Sequence, residues 1–278
     1  MRKIAIINQK GGVGKTTTAV NLSAALADTG QRVCLVDLDP QAHATLHLGV
    51  NPSPDDKSIY DVLTSNLPLA EVRQRLNDNL SVVGSHINLA AAELELAGVV
   101  GRELILRDQF EQDRPDPPLD YVFIDCPPSL GILTINALAC VDEVFIPLQP
   151  HFLALHGLSK LLETIDLVSR RLNPKLRLSG VVLCMYDAGT RLASEVAHDI
   201  DEFFSRSRQQ ATPWAQAQPF HTRIRRNIRL AEAPSFGQSI FHYAPDSNGA
   251  EDYRRLAGEV LGLVGSPAAQ DPVHVDAA

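Results

Sequence analysis

Long apolar runs are missing from this sequence. No stretch approaches the ~18 consecutive apolar residues that a helix spanning a bilayer needs, and only a short apolar run separates the basic Lys3 from Asn8. That N-terminal run is too short for a secretory signal peptide. We therefore expect a cytoplasmic protein.

Paired cysteines are missing as well, since none of the four cysteines belongs to a Cys-x-x-Cys pair. The four are Cys34, Cys126, Cys140 and Cys184. Their spacing and apolar surroundings favour reduced, buried thiols over a zinc site or disulfides.

Positive charge is in deficit. The 25 lysines and arginines face 33 aspartates and glutamates, which gives a net charge of −8. This balance argues against a molecule whose whole surface binds nucleic acid. It does not exclude a local basic patch, because salt screens the acidic groups that lie far from it.

The length of 278 residues suits one large domain or two small ones. No linker divides the chain, so we predict a single domain over residues 1–265. Residues 266–278 are mostly proline, aspartate and small residues, which predicts a disordered tail.

Apolar strands alternate with helical patterns along the chain. Strands are predicted at 3–8, 32–39, 80–84, 121–125, 143–148 and 178–186. Helices are predicted at 15–29, 130–140, 153–172 and 190–204. This alternation predicts an α/β fold with a doubly wound, mostly parallel sheet flanked by helices.

A phosphate-binding loop, KGGVGKTT at 10–17, joins the first strand to the first helix. Its backbone N–H groups, from Gly11, Gly12, Val13 and Gly14 onward to Thr17, are expected to cradle phosphate oxygens. Lys15 would reach the terminal phosphates of ATP, and the Thr16 hydroxyl would bind Mg²⁺. The pattern thus predicts a P-loop NTPase.

Acidic residues end two of the predicted strands, where parallel strands face a ligand crevice. Asp39 is placed to orient the attacking water, while Asp37 supports either Mg²⁺ or the loop. Asp125 ends the apolar strand YVFID and is the candidate Mg²⁺ ligand, with the turn at 127–129 sensing the terminal phosphate.

These motifs together resemble the ParA/Soj group of the ParA–MinD family, whose P-loop has the deviant Walker A form. The common loop has glycine where this chain has Gln9, and Lys10 is an additional lysine. The resemblance runs from about residue 2 to about 263. It includes DLDPQAHAT, CPPSLGILTINAL, PLQPHFLALHGLSKLL and RNIRLAEAPSFGQSI.

The resemblance implies a cycle. Two chains sandwich two ATP molecules, each Lys10 reaching the partner's nucleotide, and the dimer coats DNA without sequence preference. A ParB-like protein or another cargo adaptor stimulates a slow ATPase and releases the dimer. The protein would then be associated with the nucleoid.

A run of basic residues at 221–230 suits phosphate oxygens. The candidate DNA contacts are Arg191, Arg223, Arg225, Arg226 and Arg229. Arg226 matches the arginine that the family uses for DNA, and Asn227 falls at the adenine pocket. Gly189 stands where relatives commonly have an arginine that contacts DNA. The polar segment 205–219 is predicted to be an irregular, exposed loop.

Four alternatives follow from the same superfamily. A ParA-like protein that positions a protein cluster differs only in its cargo. A MinD-like membrane ATPase needs a basic amphipathic helix at the C-terminus, which GSPAAQDPVHVDAA does not provide. An iron–sulphur delivery ATPase needs paired cysteines. A small-molecule ligase or kinase of this fold has no recognisable substrate motif here.

Overall fold

A computed structural model describes residues 1–53, 55–152 and 154–262. The predicted tail, 266–278, lies outside these ranges. The strands are β1 Arg2–Ile6, β2 Val33–Asp37, β3 Arg73–Arg75, β4 Leu80–Val83, β5 Tyr121–Asp125, β6 Glu143–Leu148, β7 Arg177–Leu183 and β8 Gln218–Pro219. The helices are α1 Lys15–Asp28, α2 His43–His47, α3 Ile59–Ser65, α4 Leu69–Val72, α5 Leu89–Glu95, α6 Ile105–Gln112, α7 Ile132–Cys140, α8 Ala154–Arg171, α9 Arg191–Ser207, α10 Ile228–Glu232, α11 Ile240–Tyr243 and α12 Asn248–Gly262. Short 3₁₀ helices span Leu96–Gly98 and Ala233–Phe236.

The described strands form one sheet in the order β3-β4-β2-β5-β1-β6-β7-β8. Every pairing is parallel except that of β3 with β4. The central strands β2 and β5 are buried along their whole length, as expected for a sheet covered on both faces. The predicted doubly wound, mostly parallel sheet is confirmed.

Helices cover both faces of the sheet. One apolar core contains α1 and α12, which pack against each other, and the other contains α3, α6, α7, α8 and α9. The helix α1 ends at the predicted glycine: Gly30 has a φ of 87°, a left-handed conformation that glycine adopts without strain. Its N–H donates to the Ala27 carbonyl at 2.9 Å.

The segment 205–219 differs from the prediction. Its first residues continue α9 to Ser207, and its last two form the edge strand β8. Between them, Trp214 packs against the core and Ala217 is buried. The segment is polar and lacks a strand or helix period, so the sequence alone did not reveal that tertiary packing orders it.

No helix in the described ranges is long and apolar enough to span a membrane.

Candidate nucleotide site and basic surface

The phosphate loop lies between β1 and α1, at the carboxyl edge of the central strand. Gly12 and Gly14 have φ angles of 72° and 96°, which side chains with a Cβ rarely adopt. The helix α1 begins at Lys15 without a side-chain cap, so its first N–H groups remain available at the loop. A helix N-terminus with free N–H groups attracts anions.

Lys15 is largely buried inside this loop, with 7% of its surface exposed. Its Nζ donates to the Lys10 carbonyl at 3.3 Å. Burial lowers the pKa of Lys15, while the charges of Asp125 and Asp39 raise it. The ammonium group therefore lies among carboxylates at the place where the terminal phosphates of a nucleotide would bind.

Asp125 is fully buried, and among the described residues neither of its carboxylate oxygens has a hydrogen-bond partner. Burial and the charge of Asp37 raise its pKa well above the usual value, while Thr16 and Lys15 act in the opposite direction. An unpartnered buried carboxylate is costly, and a hard cation with oxygen ligands relieves that cost. Asp125 and Thr16 therefore fit a Mg²⁺ ion.

Asp37 pairs in register with Asp125 on the neighbouring strand, but its hydrogen bonds differ. It accepts from the Asp39 N–H at 3.1 Å and from the N–H and hydroxyl of Thr45 at 2.8 and 2.7 Å. Burial raises its pKa to about 6 despite these bonds. Of the two roles left open by the sequence, support of the loop is the one that this geometry favours.

Asp39 follows β2 and is 9% exposed. Its Oδ1 accepts from the Gln41 N–H at 2.9 Å, and its carbonyl accepts from the Ser85 hydroxyl at 2.7 Å. These bonds fix the carboxylate beside the phosphate loop, where its charge raises the pKa of Lys15.

Lys10, the additional lysine of the loop, is exposed and contacts an unpredicted partner. Its Nζ lies 2.7 Å from His151 Nε2, and the imidazole nitrogen must accept because an ammonium only donates. Asn8 holds the loop start, since its Oδ1 accepts from the Lys10 N–H at 3.0 Å and its amide donates to the Pro147 carbonyl at 2.7 Å. The loop start is thus tied to the end of β6.

A cavity of about 420 Å³ opens next to the loop. Gly12, Gly14 and Thr17 line one side of it, and the predicted Asn227 lines another. The Asn227 side chain accepts from the Arg229 N–H and so caps α10. The cavity is mostly apolar and adjoins the phosphate loop, which suits a nucleobase.

The predicted DNA contacts do not form one free cluster. Three are in ion pairs: Arg191 with Glu195, Arg229 with Glu232, and Arg225 with both Glu251 and Asp252. Arg223 stacks on the Tyr186 ring, 4.4 Å from its centre. Arg226 is exposed and has no carboxylate partner within the described ranges.

Comparison with known proteins follows from this geometry. A family model described as an AAA domain matches residues 1–178. The chain is 45% identical to the sporulation initiation inhibitor protein Soj of Bacillus subtilis, over 92% of this chain and 97% of the relative. It is 42% identical to the chromosome partitioning protein ParA of Caulobacter vibrioides, over 94% of each. The chain belongs to the ParA/Soj family of chromosome-partitioning ATPases.

A solved structure also resembles this ParA/Soj-family chain. It is titled cobyrinic acid a,c-diamide synthase from Mycobacterium smegmatis, with bound ATP analogue and magnesium. The two chains are 33% identical, with a TM-score of 0.79 over 96% of this chain and 97% of the other.

Sequence reasoning missed two residues of the site in this ParA/Soj-family chain. One is His151, whose only signal was a position just after a strand end. The other is Tyr253, which lines the base cavity and whose hydroxyl lies 3.1 Å from that of Thr18 in α1. Both contacts join segments more than 100 residues apart, so local pattern does not reveal them.

Proposed function

We propose that the protein is a DNA-partitioning ATPase that closes into a dimer around two ATP molecules, binds DNA without sequence preference and is released when a partner stimulates hydrolysis. The observation that carries this proposal is the loop that holds Lys15 against the unpartnered carboxylate of Asp125, beside a cavity of nucleobase size. Identities of 42–45% to partitioning proteins, against 33% to the structure titled as a synthase, favour partitioning.

ATP and Mg²⁺ are the proposed cofactors. The loop N–H groups and Lys15 would bind the phosphates, Asn227 would contact the base, and Thr16 and Asp125 would hold the metal. Mg²⁺ would supply the positive charge that neutralises the terminal phosphate oxygens. Asp39 would hold the attacking water.

Lys10 would act in the partner's site. It is exposed at the loop start and contacts His151, so it must leave this contact to reach a second molecule. A slow ATPase follows, because the isolated chain lacks the second lysine. A ParB-like protein or another cargo adaptor would complete the site, and the cargo would be a chromosome, a plasmid or a protein cluster.

DNA binding is proposed to centre on Arg226, the predicted contact that has no ion-pair partner in the described part of the chain. The protein would then be cytoplasmic and associated with the nucleoid, without binding a membrane.

The test is to measure oligomeric state and DNA binding with ADP, with ATP and with a non-hydrolysable analogue. We expect a monomer with ADP and a DNA-binding dimer with the analogue. Arg226→Glu should keep the dimer and lose DNA binding. A chain that stays monomeric when saturated with the analogue would overturn the proposal.

Asp39→Ala should form a dimer that persists with ATP itself, because nucleotide binding is kept and the water is no longer oriented. Sedimentation velocity with ATP measures this directly. The role assigned to Asp39 is wrong if the variant returns to monomer as fast as the unaltered protein.

A further inference from the structure

Two adjoining cavities run along the β7–β8 edge of the sheet, away from the phosphate loop. Their volumes are about 680 and 270 Å³, and both are lined by Arg208 and Gln218. The larger also contains Arg177, and the smaller contains Arg223. We call the two cavities together the edge groove.

Positive charge prevails in the edge groove. Its linings contain four arginines, Arg2, Arg177, Arg208 and Arg223, and two carboxylates, Glu143 and Asp201. The groove is therefore basic on a chain whose net charge is −8.

The buried carboxylate of the groove is already neutralised. Glu143 accepts two hydrogen bonds from Arg2, at 2.8 and 2.9 Å, and lies 3.4 Å from Arg177. Although burial alone would raise its pKa, these arginines lower it. Glu143 thus stays ionised and anchors one wall, which leaves the remaining arginines as the groove's uncompensated charge.

Arg208 differs from its neighbours on the surface. It is exposed, and among the described residues it has no carboxylate partner. Arg206, two residues earlier and also exposed, forms an ion pair with Glu202 on the same helix. Arg208 therefore has a guanidinium free to bind an anion, and it lies where the two cavities meet.

The edge groove leads toward the predicted DNA surface. Arg177 is the first residue of β7, and Arg223 packs on Tyr186 just beyond its end. Seven residues of strand span roughly 23 Å at about 3.3 Å each. One DNA strand carries a phosphate for roughly each 3.4 Å of helix axis, so this length matches about seven phosphates.

We propose that the edge groove binds the phosphate backbone of duplex DNA, with Arg208 as its central contact and Arg177 and Arg223 on either side. The inference rests on the proposed DNA binding and extends it. It also answers a deficit in this chain: Gly189 carries no side-chain charge, and Arg191, Arg225 and Arg229 are in ion pairs.

The test compares Arg208→Ala with Arg206→Ala, its matched control on the same helix. Affinity for a fluorescent duplex of random sequence is measured by anisotropy with the non-hydrolysable analogue, over a series of salt concentrations. Losing one phosphate contact should reduce the slope of log K against log salt by about 0.9, or about eightfold in affinity at 0.1 M salt, for each protomer. Arg206→Ala should change neither quantity, and Arg208→Lys should keep most of the affinity.

The outcomes separate this inference from the proposed function. If Arg226→Glu abolishes DNA binding while Arg208→Ala keeps the affinity and slope of the unaltered protein, the edge groove is not a DNA site and the proposed function stands. If the unaltered dimer binds no DNA, both fail. If Arg208→Ala leaves DNA binding intact but removes thermal stabilisation by tripolyphosphate, the groove binds a small anion and the DNA assignment is overturned.

Discussion

At the scale of single residues, the two lysines of the phosphate loop have separable environments. Lys15 is buried among carboxylates, whereas Lys10 is exposed and contacts His151. Lys15→Ala should abolish nucleotide binding, because it removes the cation that faces the phosphates. Lys10→Ala should keep binding to within a few-fold and lose the dimer. Titration with a fluorescent ATP analogue, followed by sedimentation, measures both.

Equal loss of nucleotide affinity in the two variants would contradict this division. It would mean that Lys10 acts on the nucleotide of its own chain.

The contact between Lys10 and His151 gives a second prediction at this scale. A hydrogen bond contributes about 0.5–1.5 kcal/mol net, and dimer formation must break this one. His151→Ala should therefore tighten the dimer formed with the non-hydrolysable analogue by roughly two- to tenfold per Lys10 released. Sedimentation equilibrium measures the constant, and His198→Ala on the exposed surface of α9 is the control. A weaker dimer in His151→Ala would mean that His151 supports the closed state.

At the scale of elements, the sequence predicted the buried strands well and the edge strands poorly. The strands β5 and β6 were predicted at their observed bounds, because they are continuous apolar runs ended by an acid or a proline pair. In contrast, β3 contains Arg73 and Arg75, and β8 has only two residues. Such strands exist because a neighbouring strand offers them hydrogen bonds, which no local pattern records.

The candidate site divides in the same way. The phosphate loop and Asp125 were predictable, since their chemistry is encoded in contiguous residues. The ion pair of Arg225 with Asp252, and the contact of Lys10 with His151, depend on how distant segments pack. The sequence therefore predicted which arginines are present but not which of them are free.

The edge strand β8 depends on a close contact that gives a prediction at this scale. A Cβ at Gly180 would lie 2.3 Å from the ring of Phe220, which packs edge-on against Phe145 with ring centres 5.0 Å apart. Gly180→Ala should cost about 1–3 kcal/mol, as overpacking in cores does. Urea unfolding measures the loss.

The control is Gly258→Ala, on the exposed side of α12, where an added Cβ meets nothing within 4 Å. It should stabilise the protein by about 0.5–1 kcal/mol, because alanine favours a helix over glycine. Equal stability of Gly180→Ala and the unaltered protein would show that the Phe220 ring is not held against the sheet.

At the scale of the whole molecule, the C-terminal segments complete what the N-terminal half begins. The matched AAA region ends at residue 178, yet Asn227 and Tyr253 line the base cavity with the phosphate loop. A second junction is the near-contact of Gly49 with Gly237, where a Cβ on Gly49 would lie 2.9 Å from the Gly237 carbonyl. Nucleotide contacts and the basic surface therefore share one continuous body.

His47 lies at this junction and makes stability depend on pH. It is 1% exposed, and among the described residues its Nε2 has no partner. Burial lowers its pKa to about 4, while a bond to the Gln238 backbone acts the other way. In the unfolded chain the pKa is about 6.5. The unfolded state thus binds the proton first, and the folded state loses stability as pH falls from 6.5 toward 4.

The measurement is the free energy of unfolding of the unaltered protein minus that of His47→Gln, at pH 7.5 and at pH 5. This difference should shrink by about 2 kcal/mol at the lower pH, because glutamine does not titrate. The raised pKa of Asp37 has the opposite effect on stability in this window, but it is present in both proteins and cancels. His198→Gln, at an exposed site, should show no such change, and a constant difference for His47→Gln would mean that the imidazole reaches water in the folded protein.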